Sequence, residues 1–236
     1  MDLDRDTVAL FAAWYAVFVL STTLHEAAHA WAAMKLGDFT AYFGGQVTLN
    51  PLPHIQREPF GMVLVPILTF FMNGWMMGWA SAPYDPHWAQ RYPRKAALMA
   101  LAGPASNLLL VLIAALLIRL GMLAGAFEAP ARLEFTQITA AVQPGWAVGA
   151  ATLLSILFLL NLVLFAFNLL PLPPLDGSAL LPLVLPPAAA AKYRELSWNP
   201  AFSLIGLIVA WKLFGAVFPV VHLTAVNLLY PGMNYQ

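Results

Sequence analysis

Two histidines and a glutamate lie close together near the start of the chain, in the run His-Glu-Ala-Ala-His at residues 25–29. Side chains four positions apart share one face of a helix, so the imidazoles of His25 and His29 can reach one metal ion. Glu26 lies between them, where its carboxylate could hold and deprotonate a water molecule. This is the HExxH pattern of zinc hydrolases, whose metal activates water and polarises a carbonyl group. The alternative is a structural histidine pair at a helix–helix contact.

The composition favours a metal site inside a membrane protein. Hydrophobic residues make up 61% of the 236 positions and charged residues only 9%, and the mean hydropathy is +0.75. Eleven cationic and eleven anionic residues cancel, so no basic field points to nucleic acid. The chain has no cysteine, so a metal must be held by histidine and carboxylate. Ionisable groups inside an apolar span are costly and usually functional, which argues against the structural pair.

The apolar segments predict an all-α polytopic membrane protein with about five to six hydrophobic segments. The runs at 7–34, 96–120, 146–170 and 201–229 are long enough to cross a bilayer. Residues 60–80 are also apolar, but glycine and proline interrupt them, which indicates a re-entrant or broken element. A short apolar piece follows at 180–191. We expect one integral-membrane domain over residues 1–236, with its core at 8–190 and a C-terminal helix at 200–230.

Residues 39–50 have a different character from the apolar runs. Two short segments rich in β-prone residues flank Gly44 and Gly45. This pattern predicts a small β-hairpin.

Asp176 is the natural candidate for a third metal ligand. It follows the 146–170 span in a proline-rich run, and its carboxylate would complete a set of two imidazoles and one carboxylate. The alternative is that Asp176 caps the helix that follows Gly177. His54 is another candidate ligand, or a loop histidine near the membrane surface.

Topology provides an independent constraint on the ligand set. His25 and Asp176 can share a metal only if they lie at the same membrane depth. Three apolar segments follow the first helix up to residue 170, so one of them must fail to cross, and 60–80 is the best candidate. The cationic cluster at residues 91–95 is expected to face the cytoplasm. If the ligand set is right, the site therefore lies towards the cytoplasmic face.

Three motifs in order along the chain carry a family resemblance. They are His-Glu-Ala-Ala-His at 25–29, Gly-Pro-Ala-Ser-Asn at 103–107, and Asn-Leu-Leu-Pro-Leu-Pro-Pro-Leu-Asp-Gly at 168–177. Together with the stretch at 47–55, they resemble the site-2 protease family of intramembrane metalloproteases, in its compact prokaryotic form without PDZ or CBS modules. The resemblance covers residues 8–190. It implies one zinc ion held by His25, His29 and Asp176, with Glu26 as the catalytic base.

The same resemblance implies hydrolysis of peptide bonds in or near the transmembrane segments of membrane-protein substrates. A substrate helix hides its carbonyls in internal hydrogen bonds and must first unwind. An edge strand in residues 39–50 could hold the unwound segment by strand addition. Asn107, Asn168 and His54 are candidates for substrate binding; for the two asparagines, plain interhelical hydrogen bonding is the alternative.

The expected setting is the cell membrane, which a multi-pass chain would cross with its active site towards the cytoplasm. The expected partners are a transmembrane protein substrate and the lipid bilayer, and no nucleic acid. Two other functions stay open: a membrane zinc hydrolase of another substrate class, such as a prenyl-protein or lipid-linked one, and a non-catalytic scaffold or transporter with a structural metal site. An intact Glu26 argues against the second, because a structural site needs no base.

Overall fold

The computed structural model describes residues 4–233 and 235. The chain is mostly helical, and the helices in order are α1 (Arg5–Leu36), α2 (Thr40–Phe43), α3 (Leu52–Arg57), α4 (Val65–Asn73), α5 (Pro86–Arg91), α6 (Pro93–Leu123), α7 (Trp146–Asn168), α8 (Leu181–Val184), α9 (Pro187–Ser197) and α10 (Pro200–Leu229). A π-helical turn, Phe60–Leu64, runs into α4, and a 3-10 turn, Asp176–Leu180, precedes α8. Strands β1 (Phe127–Glu128) and β2 (Ala140–Ala141) form a small antiparallel pair.

Four helices, α1, α6, α7 and α10, are long and apolar enough to cross a membrane. They correspond to the four uninterrupted apolar runs of the sequence. The prediction of an all-α polytopic membrane protein is confirmed.

The core of the bundle lies where α1, α6 and α7 pack together. Trp14 and Phe18 of α1 pack against Ile156 and Leu160 of α7, and Phe70 of α4 closes the same cluster. Burying such large apolar side chains stabilises each by about 1.5–3 kcal/mol relative to exposure to water. This packing fixes α1 beside α7.

A second cluster attaches α10 to the bundle. Val111 of α6 and Phe158 of α7 pack with Val226 and Leu229 of α10. The ring centroids of Phe167 on α7 and Phe214 on α10 lie 5.2 Å apart in an edge-to-face arrangement. The remaining face of α10 is largely exposed, which suits a helix that borders lipid.

The apolar segment at 60–80 is broken, as predicted. Its helical part, Phe60–Asn73, is shorter than the four long helices. Gly74 ends it with φ +79°, a conformation that L side chains rarely adopt, and the chain reverses there. The main chain then returns beside the helix, where the Trp79 N–H donates to the Gly61 carbonyl over 3.2 Å. The segment is therefore a hairpin of helix and returning extended chain.

The β-hairpin predicted at residues 39–50 is wrong. The structure has the helical turn α2 there, followed by turns. Asp38 starts that turn, because its Oδ1 accepts from the Thr40 N–H and from the Thr40 hydroxyl. The Gln46 N–H then donates to the Ala41 carbonyl over 3.0 Å. Local hydrogen bonds therefore use the main-chain groups that a strand ladder would need, and the small sheet forms at β1 and β2 instead.

Candidate metal centre

The two histidines of the 25–29 motif lie one helical turn apart on α1, and both are buried. Their ring centroids are 4.6 Å apart, and their Nε2 atoms are 2.9 Å apart. The 3.6-residue period of the helix places both rings on one stripe. Both Nε2 atoms therefore face the same small volume.

The chain after α7 brings a carboxylate to that volume. Asp176 Oδ2 lies 3.1 Å from Nε2 of His25, and its Oδ1 lies 3.3 Å from Nε2 of His29. The 3-10 turn that begins at Asp176 has no side-chain cap hydrogen bond. The carboxylate therefore points at the imidazoles and does not cap the helix.

The Nδ1 atom of each imidazole contacts an oxygen atom of α6, on the side of the ring away from Asp176. His29 Nδ1 lies 2.8 Å from the Met99 main-chain carbonyl on α6. A carbonyl oxygen only accepts, so His29 Nδ1 carries a proton, and in the neutral imidazole Nε2 then presents a lone pair. His25 Nδ1 lies 2.5 Å from Oδ1 of Asn107, also on α6. This backing contact on both rings is typical of metal-ligating histidines.

The three converging atoms fit a zinc ion. With Zn–N and Zn–O distances near 2.0–2.1 Å, tetrahedral ligand atoms are about 3.3–3.4 Å apart. The ligand atoms of His25, His29 and Asp176 all lie within 4.8 Å of one another, and the closest pairs are 2.9–3.3 Å apart. In their neutral form the two imidazoles direct lone pairs at the same point as the carboxylate, which is an arrangement that a cation would stabilise. One carboxylate and two imidazoles are a donor set that zinc accepts.

Glu26 borders the cleft that opens onto this trio. The cleft has a volume of about 190 Å³, and His29 and Asp176 line it together with the extended chain at residues 80–84. Glu26 itself is buried. Among the described residues, no hydrogen bond or ion pair occupies its carboxylate. A water molecule in the cleft could therefore reach both Glu26 and the metal ligands.

A second groove meets the cleft at Asp176 and Tyr84. Its far side is formed by Tyr193, Arg194 and Trp198, at the end of α9. The rings of Tyr84 and Trp198 lie 6.5 Å apart, edge to face. Partial burial raises the pKa of the Tyr84 hydroxyl, and the nearby Asp176 carboxylate adds to this rise. Tyr84 therefore keeps its proton at neutral pH and remains a hydrogen-bond donor.

None of the three candidate substrate-binding residues is among the three residues whose ligand atoms converge. Asn107 is fully buried behind His25, and its Nδ2 donates to Oδ1 of Asn161 on α7 over 2.8 Å. Asn168 Nδ2 donates to the Leu164 carbonyl of its own helix over 3.0 Å. His54 is buried in α3, with Nε2 3.1 Å from the Thr48 carbonyl. Asn107 therefore forms an interhelical hydrogen bond, and substrate roles for Asn107, Asn168 and His54 stay predictions.

Sequence reasoning missed one residue that shapes the site. Gly103 of α6 lies directly against the imidazoles of His25 and His29, and a Cβ there would overlap His29 Nε2. The sequence indicated only that the small residues at 103–107 allow close helix packing. The available signal was spacing, because Gly103 and Asn107 are four positions apart and share one helix face.

The sequence model described as Peptidase family M50 matches residues 13–213 of this chain. The protein belongs to peptidase family M50. This is the site-2 protease family, so the resemblance found in the motifs is confirmed.

Members of the M50 family with similar sequences carry zinc-protease names. "Putative zinc metalloprotease YwhC" of Bacillus subtilis is 38% identical over 178 residues, which are 75% of this chain and 71% of that protein. "Putative zinc metalloprotease Rip2" of Mycolicibacterium smegmatis is 29% identical over 202 residues, 85% of this chain and 68% of that protein. Rip2 of Mycobacterium tuberculosis (strain H37Rv) is 31% identical over 227 residues, which are 93% of this chain and 75% of that protein. No solved structure matches significantly. Family and relatives support a metalloprotease.

Proposed function

We propose that this M50 protein is an intramembrane zinc metalloprotease that cleaves membrane-protein substrates in or near their transmembrane segments. One observation carries the proposal: the ligand atoms of His25, His29 and Asp176 converge at a cleft that Glu26 also borders. Two of these residues lie within α1, a helix long enough to cross a membrane. Ionisable side chains at such a position favour a catalytic role.

His25, His29 and Asp176 would hold one zinc ion through three protein atoms, the number found in catalytic zinc sites. When bound, zinc supplies Lewis-acid chemistry, which lowers the pKa of water and polarises a substrate carbonyl. The backing contacts from Met99 and Asn107 would hold both imidazoles in the orientation that a bound ion requires.

Glu26 acts as the proton carrier of the reaction. Its carboxylate takes a proton from the water that attacks the peptide carbonyl, and it passes a proton to the leaving amine. Burial beside the cleft keeps the carboxylate close to the reacting atoms. Because no hydrogen bond from the described part of the chain occupies the carboxylate, both of its oxygen atoms are available for this transfer.

The extended chain at residues 80–84 would hold the substrate. It lines the cleft beside Glu26 and Asp176. Among the described residues, no main-chain hydrogen bond joins it to another segment, although the Gln46 side chain contacts the Ser81 carbonyl. Free N–H and C=O groups on an extended chain can pair with an unwound substrate by strand addition. This segment takes the part that residues 39–50 were expected to play.

The site would lie towards the cytoplasmic face of the cell membrane. Lys95 Nζ donates to the Leu36 carbonyl over 3.0 Å, so the cationic cluster at 91–95 meets the C-terminal end of α1. His29 lies seven residues before that end, about 10 Å at 1.5 Å per residue. The positive-inside tendency assigns the cationic cluster to the cytoplasm. Arg94→Cys in this cysteine-free chain, probed with an impermeant maleimide in spheroplasts, tests the assignment: labelling of intact spheroplasts would contradict it.

A panel of single-span substrates in liposomes tests the activity. Half of the panel carries Asn-Pro or Gly-Pro in the span, and the matched half carries Leu-Leu at the same place. We expect cleavage of the helix-broken half only, because unwinding precedes cleavage. Glu26→Gln should abolish it, and Glu134→Gln, in an exposed loop, should not. Equal cleavage by the parent and Glu26→Gln would contradict the proposal.

A further inference from the structure

A hydrogen-bonded network of buried side chains joins three helices behind the candidate metal centre. Asn161 of α7 and Asn107 of α6 are both fully buried, and so is Ser21, one turn before His25 on α1. Asn161 Nδ2 donates to Ser21 Oγ over 2.9 Å and to the Leu157 carbonyl over 2.8 Å. Buried amides in an apolar bundle are costly unless every polar atom is paired.

One main-chain carbonyl group fixes which atoms donate and which accept in this network. The Leu157 carbonyl can only accept, so the Asn161 amide must turn its nitrogen towards it. The oxygen of Asn161 then faces Asn107 and accepts from Asn107 Nδ2 over 2.8 Å. Asn107 must therefore present its own oxygen to His25.

The orientation of the Asn107 amide determines the tautomer of His25. Asn107 Oδ1 lies 2.5 Å from His25 Nδ1, and an amide oxygen cannot donate. His25 Nδ1 is therefore the protonated nitrogen, and Nε2 keeps its lone pair for the metal. If Asn107 were reversed, its amide group would select the opposite tautomer, and the proton on Nε2 would block the ligand.

We propose that Asn161 is a positioning residue, which selects the metal-binding tautomer of His25 through Asn107. The inference rests on the metal site proposed above, and it adds a residue outside the three sequence motifs. In Asn161→Leu the Asn107 nitrogen loses its acceptor. An unpaired N–H₂ group in an apolar site is costly, which favours reversal of the Asn107 amide. Asn161→Asp is the conservative variant, because it keeps the shape and an oxygen that accepts from Asn107.

Two measurements on the full chain in detergent test the proposal. The first is ¹⁵N NMR of the metal-free protein labelled at histidine, with the His25 signals assigned by their loss in His25→Ala. We expect protonated Nδ1 in the parent and in Asn161→Asp, and protonated Nε2 in a large fraction of Asn161→Leu. The second is zinc affinity by competition with a chromophoric chelator, which should fall about 10- to 100-fold in Asn161→Leu.

The controls separate a positioning role from packing. Ser21→Ala removes one contact of Asn161 but leaves the Leu157 carbonyl, so the His25 tautomer should be unchanged. Thermal melts show whether each variant folds. Loss of the Nδ1–H tautomer in Asn161→Asp, to the extent seen in Asn161→Leu, would overturn the proposal.

The outcomes also separate this inference from the proposed function. If the parent binds zinc and Asn161→Leu equals it in tautomer and affinity, the positioning role is wrong and the metal site stands. If the parent shows the Nδ1–H tautomer but no zinc affinity, the metal site is wrong and the control of the His25 tautomer stands.

Discussion

Gly103 of α6 lies so close to His29 of α1 that a Cβ at Gly103 would overlap the Nε2 atom of the imidazole. The same Cβ would also crowd Nε2 of His25. Both ring nitrogens are the atoms that face Asp176. The absence of a side chain at residue 103 therefore makes the space in which the ligand atoms meet, and α1 and α6 can approach closely only because of it.

Gly103→Ala should therefore reduce zinc binding. The added methyl group must displace two buried rings in a well-packed interface, and overpacking of this kind costs about 1–3 kcal/mol. Converted at 1.4 kcal/mol per tenfold change, this lowers zinc affinity about 5- to 150-fold. Zinc per protein after dialysis against a weak chelator measures the effect. Gly149→Ala is the matched control, because a Cβ at Gly149 meets nothing within 4 Å.

His25→Ala and Asp176→Ala should each remove the bound zinc. The two residues are 151 positions apart in the sequence (176 − 25), and their side chains are 3.1 Å apart. Loss of one ligand leaves two, too few for a catalytic zinc site. Elemental analysis of the purified variants measures the loss, and His87→Ala, at an exposed position, should keep the parent's zinc. Full zinc content in Asp176→Ala would remove Asp176 from the ligand set.

Local signals made the long helices and the histidine pair predictable. Apolar runs of spanning length need no tertiary information, and the positions of His25 and His29 on one face follow from helix geometry. The hairpin predicted at residues 39–50 does not form, because the hydrogen bonds of Asp38 to Thr40 start a helical turn that the β-prone residue types do not reveal.

The meeting of His25 with Asp176 was implied by the family resemblance, but the other contacts between distant segments could not be predicted from a single sequence. The position of Gly103 against His29, and of Asn161 behind Asn107, depends on how α1, α6 and α7 pack. Residues 80–84 have no strand pattern of alternating side chains. Their extended path follows from the reversal at Gly74 and from the packing of the returning chain on the preceding helix. These residues around the motifs could therefore be identified only from the structure.

Ala82→Pro tests the role of the extended segment at 80–84. Proline removes the Ala82 N–H, which strand addition would use, while its fixed φ suits extended chain. One lost hydrogen bond of about 0.5–1.5 kcal/mol should lower kcat/KM for a helix-broken substrate roughly two- to tenfold. Zinc content should not change. Ala129→Pro is the control, because Ala129 also precedes a proline but lies outside the cleft. An unchanged kcat/KM in Ala82→Pro would argue against strand addition at this segment.

Removal of zinc should lower the thermal stability of the protein. The ligands join α1 to the 3-10 turn after α7, so an ion that binds them binds only the folded chain. At a free zinc concentration 100 times Kd, this linkage stabilises the folded state by about 2.7 kcal/mol. For a chain of this size the loss corresponds to a fall in Tm of roughly 5–11 °C.

Melts of the detergent-purified protein, with and without a chelator and after zinc is restored, measure this fall. The parent should lose stability with the chelator and regain it with zinc. Asp176→Ala should show one Tm in all three conditions, since it lacks the carboxylate that completes the site. A chelator shift of equal size in the parent and in Asp176→Ala would mean that the stabilising ion binds elsewhere.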